Sequence, residues 1–398
     1  MRELITATIC YPHEFAASWT KKDCQFFFRI PAYTGSERCF PSALNLAMEA
    51  FDVYCVRGGG RMNTYFFGSL ILCGSLFLAA CAGSGRTDNS GGGGGGFCST
   101  GDNTANAIYV VESLGQRVQV FDRHATYLSQ FDHSFDVPTG IALDCQQNIY
   151  VFAGGQCQVD KFDSKGNFLL QFGKCPTQDG GIGPGLFDNT GRVATDAAGN
   201  VWVTSPDFYY MQKFDSSGHF LQIVCMANVG VNNCPVATPV DVQPQGIGVD
   251  AAGNIYISNE DPFTGYSIVK LDLNGKYLSK FGSTGSANGQ FMSRGTTGIA
   301  FDAVGNIYVS DSGNDRVQKF DRQGNYVSQF GSTGTGDGQF QTPGGIAFDK
   351  TGNIYVTDDG GNYRVEKFDA NGNYLTQFGS TGTGDGQFDA PIGIAVVR

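Results

Sequence analysis

Charge is scarce in this chain, and positive charge scarcer. Of 398 residues only 16% are charged, and the formal net charge is −11. An acidic chain repels a phosphate backbone, which argues against nucleic-acid binding. Long apolar runs with helical spacing are few, which argues against a helical protein. Histidine numbers four. No CxxC pair is present, which argues against a metal cluster. No GxSxG turn or Walker-type loop appears. The GTGDG stretch resembles a phosphate loop only superficially, because it precedes a strand rather than a helix. SDSGNDR (310–316) is acidic but fails the spacing of an EF-hand. What the chain has is glycine (57) and aromatics (32 Phe, 17 Tyr). Short apolar runs broken by Gly, Asn and Asp read as all-β with tight turns.

One ten-residue stretch, GSTGTGDGQF, occurs at 331–340 and at 379–388, with a near copy, GSTGSANGQF, at 282–291. A second motif explains the recurrence. NAIYV (106–110), NIYV (148–151), NVWV (200–203), NIYI (254–257), NIYV (306–309) and NIYV (353–356) start 42 to 54 residues apart. Periods of this size signal a repeat array, with roughly four strands per propeller blade. Residues 297–340 parse into four strands: GIAFD, NIYVSD, RVQKFD and NYVSQFG. Asp/Gly/Asn turns between them supply the positive-φ positions that hairpins need. GSTGTGDGQF is then the connector from the outer strand of one blade to the inner strand of the next. The first unit lacks a GIAxD strand, and the chain ends in a lone one, GIAVVR (393–398). Together they make one complete blade. The ring closes and loses two free edges.

These residues resemble the NHL repeat, whose pattern runs P-x-G-I-A-x-D, G-N-I-Y-V-x-D, N-x-R-V-x-K-F-D and G-x-x-G ahead of F. The resemblance covers about 106–398 and implies an all-β, six-bladed β-propeller of four-stranded blades. NHL-like propellers that act as amidating lyases use several His around a central metal. Here His124 and His219 fall in turns at the outer edge and His133 follows an outer strand, so that set is missing. RNA-binding relatives use a basic top face, whereas residues 97–398 hold 30 acids against 18 Lys plus Arg. Ubiquitin-ligase relatives carry a RING domain, and no such Cys/His array precedes this propeller.

Residues 62–85 hold a central apolar run of signal-peptide length. Leu78-Ala79-Ala80-Cys81 resembles the lipobox of bacterial lipoproteins, which implies cleavage before Cys81 and its lipidation. The domain reading follows: 1–61 is an extension ahead of the true start at Met62, 62–80 a signal peptide, 81–97 a Gly-rich tether, and 98–398 the propeller. The expected location is the bacterial cell envelope, periplasmic or surface-exposed, held to the membrane by the lipid.

Comparing the units with each other yields candidate residues. Three carry an acid after the second strand and an Arg opening the third: Glu112/Arg117, Asp311/Arg316 and Asp358/Arg364. The other three have Ala153/Gln158, Ser205/Tyr210 and Asn259/Ser267. Acid and Arg appear and vanish together, as in a structural ion pair within an exposed loop, which contributes roughly 0–1 kcal/mol. The blades without the pair have longer loops, and on their face Phe208, Tyr209, Glu260, Asp261, Phe263 and Tyr266 form a candidate ligand site. Aromatics with a few acids suit a peptide or carbohydrate; the competing reading is that they pack the longer loops. An exported chain permits disulfides, and the candidate pairs are Cys157–Cys175, Cys225–Cys234 and Cys98–Cys145. No catalytic residues, metal or cofactor are expected, with Ca²⁺ on the axis as the open alternative. The functional expectation is a monomeric binding scaffold for a protein, peptide or glycan. The rival is a lyase or hydrolase acting on a polysaccharide, lactone or small molecule.

Overall fold

The computed structural model describes residues 107–176, 183–226, 238, 241–260, 265–292 and 298–397, and three short strands nearer the start of the chain. The chain divides into two units, Met1–Arg86 and Thr87–Arg398. In the first, Gln25–Phe28, Val53–Val56 and Asn63–Thr64 form a small antiparallel sheet. The second is a six-bladed propeller of four-stranded antiparallel sheets.

Blade 1 is built from both ends of the propeller. Its inner strand is Pro391–Val396, followed outward by Ile108–Glu112, Arg117–Phe121 and Tyr127–Phe131. Ile394 pairs with Val110 and Val396 with Ile108, so the last strand completes the first sheet. Blade 2 runs Pro138–Leu143, Ile149–Ala153, Gln158–Phe162, Phe168–Phe172. Blade 3 runs Val193–Thr195, Val201–Ser205, Tyr210–Phe214, Phe220–Cys225. Blade 4 runs Pro244–Val249, Ile255–Asn259, Ser267–Leu271, Tyr277–Phe281. Blade 5 runs Ile299–Phe301, Ile307–Asp311, Arg316–Phe320, Tyr326–Phe330. Blade 6 runs Pro343–Phe348, Ile354–Asp358, Arg364–Phe368, Tyr374–Phe378.

Phenylalanine makes the seams between blades. The last residue of an outer strand leans on the last residue of the next blade's third strand: Phe131 on Phe162, Phe172 on Phe214, Phe281 on Phe320, Phe330 on Phe368 and Phe378 on Phe121, with centroids 4.7–4.9 Å apart. A second ring from the connector covers the same target, as Phe340 does on Phe368 and Phe388 on Phe121. Each fully buried Phe contributes roughly 2–3 kcal/mol, so the seams hold much of the stability. In blades 2, 4, 5 and 6 a glycine follows the outer strand and makes room for that ring. At Gly331 (φ 93°) and Gly379 (φ 88°) a Cβ would lie within 2.7 Å of Phe340 and within 2.4 Å of Phe388. The blade 3–4 seam is the exception; there Val224 and Leu271 pack in an aliphatic cluster.

The repeat's Asp, Tyr and Lys have one structural job. In blades 2 to 6 the Lys of strand three lies over the aromatic ring of strand two, Nζ to centroid 4.9–5.2 Å. The Asp ending strand one caps the next turn by accepting backbone N–H bonds, as Asp302 does from Val304 and Asn306. In blades 3, 5 and 6 that Asp also faces the Lys, at 3.2 Å for Asp196–Lys213. In the closing blade Val397 and Val120 occupy these places, and Tyr109 donates instead to Ser164 O of blade 2 at 2.9 Å. The ring stays shut there without the polar triad.

Candidate functional site

The loops joining strands two and three share a face with the connectors between blades. On this face the acid and Arg of blades 1, 5 and 6 do not form exposed loop pairs. They are buried: Glu112 and Asp358 are 0% exposed, Asp311 2%, and the three arginines 6–9%. The reason is that each Arg clamps the connector entering its own blade. Arg316 places Nε 2.7 Å from Asp311 Oδ2 and donates from Nη2 to Ala287 O and Gln290 O. Arg117 binds Glu112 and donates to Thr383 O, Gly384 O and Gln387 O. Arg364 donates to Thr335 O, Gly336 O and Gln339 O. The recurring GSTGTGDGQF loop and the acid–Arg pair are therefore one device, and blades that lack the loop lack the pair.

Other contacts take over in blades 2 to 4. In blade 3 Tyr210 donates to Leu186 O at 2.5 Å. In blade 2 the connector brings His133 to the buried Asp160, Nδ1 to Oδ2 3.5 Å, with the imidazole stacked on Phe168 at 3.9 Å. Burial raises the Asp160 carboxyl above its ordinary value, and His133 and a Gln158 amide hold it back. Cys157 and Cys175 form a disulfide that ties the blade 2 loop to the connector leaving that blade. Cys145 and Cys225 are disulfide-bonded as well. Their candidate partners Cys98 and Cys234, together with Cys81, Asp261 and Phe263, lie outside the described residues.

Of the other candidate site residues, Phe208 is half-buried and stacks on the buried Tyr210 at 5.7 Å. Tyr209, at φ 55°, ends the short turn Pro206–Phe208. Tyr266 packs against the core between blades 4 and 5. Tyr266 and Glu260 share a narrow, solvent-open crevice with Asn259, Met292 and Asp311. The aromatics thus pack the loops and keep part of each ring at the surface.

The sequence reading missed the axis. Inner strands pair with second strands in one register, so Gly140, Gly246, Gly298, Gly345 and Gly393 are equivalent positions. In blade 3 that position is Arg192, next to Val193, which pairs with Val203. A shared hydrogen bond confirms the equivalence: the backbone N–H bonds the strand-two hydroxyl, Arg192 to Thr204, Gly298 to Ser310 and Gly345 to Thr357. The inner strands nearly touch here, since a Cβ on Gly345 would lie 3.0 Å from the Gly393 Cα. Arg192 has no room sideways. Its Nη1 turns toward the connector face and donates to Thr190 O and Gly191 O. Burial disfavours its charge, and Glu260, Asp359 and Asp188 support it. These acids come from blade 4, blade 6 and the connector into blade 3, and blade 6 stands opposite blade 3 in the ring. The guanidinium therefore sits near the centre of the mouth. Burial pushes the Asp359 carboxyl up to about 6 against the pull of Arg192, and burial also raises Asp188. Among the described residues no group of three or more His, Cys, Asp or Glu is placed to hold a metal ion. The signal for Arg192 was in the sequence: an Arg where every other unit has Gly.

Comparison with known proteins supports the fold. The NHL repeat model matches residues 340–368, the connector Phe through the third strand of blade 6. The Drosophila melanogaster protein brain tumor is 24% identical over 148 residues, 37% of this chain and 12% of that protein's length. A Bacteroides caccae protein of unknown function superposes with a TM-score of 0.52 at 12% identity, over 74% of this chain and all of that one. Virginiamycin B lyase from Staphylococcus aureus, at 9% identity and a TM-score of 0.46 over 73% of this chain and 84% of its own, is too remote to carry an argument. The chain is a six-bladed β-propeller with an NHL repeat at residues 340–368.

Proposed function

We propose that this propeller is a binding scaffold of the bacterial cell envelope, lipid-anchored through Cys81, whose connector face takes a protein, peptide or glycan ligand. The observation that carries this reading is the asymmetry of that face. Blades 1, 5 and 6 use their polar groups internally, to clamp connectors. Blades 2 to 4 have given up the clamp and present half-buried aromatics, a crevice and one side of a charged axial mouth. Ligands favour concave sites with a few convergent polar groups.

The test is in-cell crosslinking in the native host, with the Phe208→Ala/Tyr209→Ala double variant and an equally anchored inert protein as controls. A partner captured by the wild type and lost in the double variant supports the scaffold on this face. Capture no better than the inert control sinks it. Palmitate labelling that disappears in Cys81→Ser supports the anchor, and unlabelled wild type excludes it. The axial cluster favours a second reading, an enzyme acting on a small molecule. Perturbed carboxyls beside a buried cation are what acid–base chemistry uses. Turnover abolished by Asp359→Asn, with crosslinking unchanged, would select it.

A further inference from the structure

One buried acid on the connector face, Glu366, has no well-aligned hydrogen bond to either carboxyl oxygen, and its neighbours say what state it is in. The middle residue of strand three is Gln119 in blade 1, Gln212 in blade 3 and Gln318 in blade 5. Each of these amides does two things at once. Gln318 donates from Nε2 to Gln290 O and accepts the Gly289 N–H at 2.9 Å. Gln119 donates to Gln387 O and accepts the Gly386 N–H at 2.8 Å. Gln212 donates to Leu186 O and accepts the Gly185 N–H at 2.8 Å. In blade 6 the position is Glu366, which is 0% exposed. Its counterparts on the connector are Gln339 O and the Gly338 N–H, one acceptor and one donor. A carboxylate meets the donor but has nothing to give the carbonyl. A neutral carboxyl has one O–H and one acceptor oxygen, the same pair of functions as the amide.

We propose that residues 331–340 are a proton-controlled latch: neutral Glu366 stands in for the repeat's Gln, and its ionisation loosens this one connector and the axial loop docked on it. The groups facing Glu366 are Arg364 on its own strand, Asp358 on the second strand, Asp337 on the connector and Tyr374 on the outer strand. Arg364 is the only cation among them. Its Nη2 stands 2.7 Å from Glu366 Oε1, yet its N–H bonds are directed at Thr335 O, Gly336 O, Gln339 O and Asp358. An ionised Glu366 competes for that guanidinium with the carbonyls that hold the connector. Burial, with Asp358 and Asp337 adding to it against the pull of Arg364 and of the Gly338 N–H, raises the Glu366 carboxyl to about 8. The release falls in mildly alkaline solution.

The latch reaches the axis through the loop that carries Asp359. Asn362 Nδ2 donates to Gly334 O at 2.9 Å, and the backbone N–H groups of Asp359 and Gly360 donate to Thr342 O and Gln341 O. A connector that loosens frees the anchor of the loop opposite Arg192.

The protein contains its own control. The connector at 282–291 is the same device with Gln318 in place of Glu366. Amide hydrogen exchange of the two connectors is compared from pH 6 to pH 10, with the intrinsic pH dependence removed. Single-proton linkage limits the effect to about tenfold per pH unit above the titration point. The expected result is equal protection at pH 6 and at least tenfold weaker protection of 331–340 by pH 9.5. Glu366→Gln should remove the difference at every pH. Equal protection of both connectors across the whole range overturns the proposal, with or without a folded variant. A pH dependence that survives in Glu366→Gln overturns it too.

Discussion

Arg316→Ala separates a buried clamp from an exposed ion pair by its magnitude alone. An exposed pair contributes roughly 0–1 kcal/mol. Removing one partner of a buried pair costs about 3–5 kcal/mol, because the other charge stays buried without its counter-ion. The structure locates this case within that range. Asp311 keeps the Met292 N–H, the Asn314 amide and the Gln318 amide after Arg316 is gone. Those dipoles compensate part of the charge. Gln290 O keeps its bond from Gln318, whereas Ala287 O loses its only side-chain donor. Ala287 O still accepts the Gln290 N–H, so losing the charged donor there adds no more than about 1 kcal/mol. The expected cost of Arg316→Ala is therefore about 3 kcal/mol, read as a shift of the urea midpoint at unchanged slope. Adding Asp311→Asn to Arg316→Ala should recover about 1 kcal/mol, since the stranded charge is removed. Arg316→Lys should fall between, because an ammonium cannot serve the carboxylate and two carbonyls as a planar fork does. A loss under about 1 kcal/mol for Arg316→Ala, with simple additivity for the pair, would refute the clamp.

Reducing the Cys157–Cys175 bridge, or replacing both with Ser, should cost about 3 kcal/mol for a closed loop spanning 18 residues; calorimetry on the double variant checks it, and an unchanged midpoint would mean the connector is held without the bridge. Arg192→Gly restores the residue of the other five blades, so the fold should persist while the Asp359 titration moves above its present value of about 6. Carboxyl NMR reads that shift, and an Asp359 titration that stays put would remove Arg192 from the mouth. Stability should also respond to the Asp359 carboxyl: with a folded value above the ordinary one, the native state holds the proton longer, so this group's contribution declines as pH rises from about 4 to 6. The decline should be absent in Asp359→Asn, followed by denaturation over the same pH range.

The blades were legible because a repeat writes its own alignment. Six copies of one motif fix the register of strands two and three, and the Gly/Asn turns fix where they reverse. The closing strand was legible for the same reason, since each end of the chain held part of a unit. Burial of the acid–Arg pairs was not. Arg316 and Asp311 are five positions apart in sequence, which reads as a local pair. Their burial comes from the connector about 26 residues earlier, whose carbonyls Arg316 also binds. A contact made by the backbone of a loop leaves no side-chain signature to read. Arg192 was the opposite case. Its position was visible as a departure from Gly, but its meaning depends on three-dimensional closure, which brings blade 6 across from blade 3.

The same logic links the two unusual halves of the ring. Where the Gly-rich connector and its Arg persist, each blade is locked to the previous one by a short, dry, hydrogen-bonded loop with a Phe beneath it. Such a loop cannot lengthen without losing the carbonyls that the Arg binds. Blade 3 is held instead by Tyr210, and blade 2 by Gln158 and His133 around Asp160, contacts that do not require a fixed loop length. The Cys157–Cys175 bridge acts likewise. Loss of the clamp therefore removes the constraint on connector length. That is the physical condition for growing loops on one side of the face while the other side keeps the ring closed. The longer loops of blades 2 to 4 and the absence of the clamp there are two sides of one difference, connectors that no arginine holds.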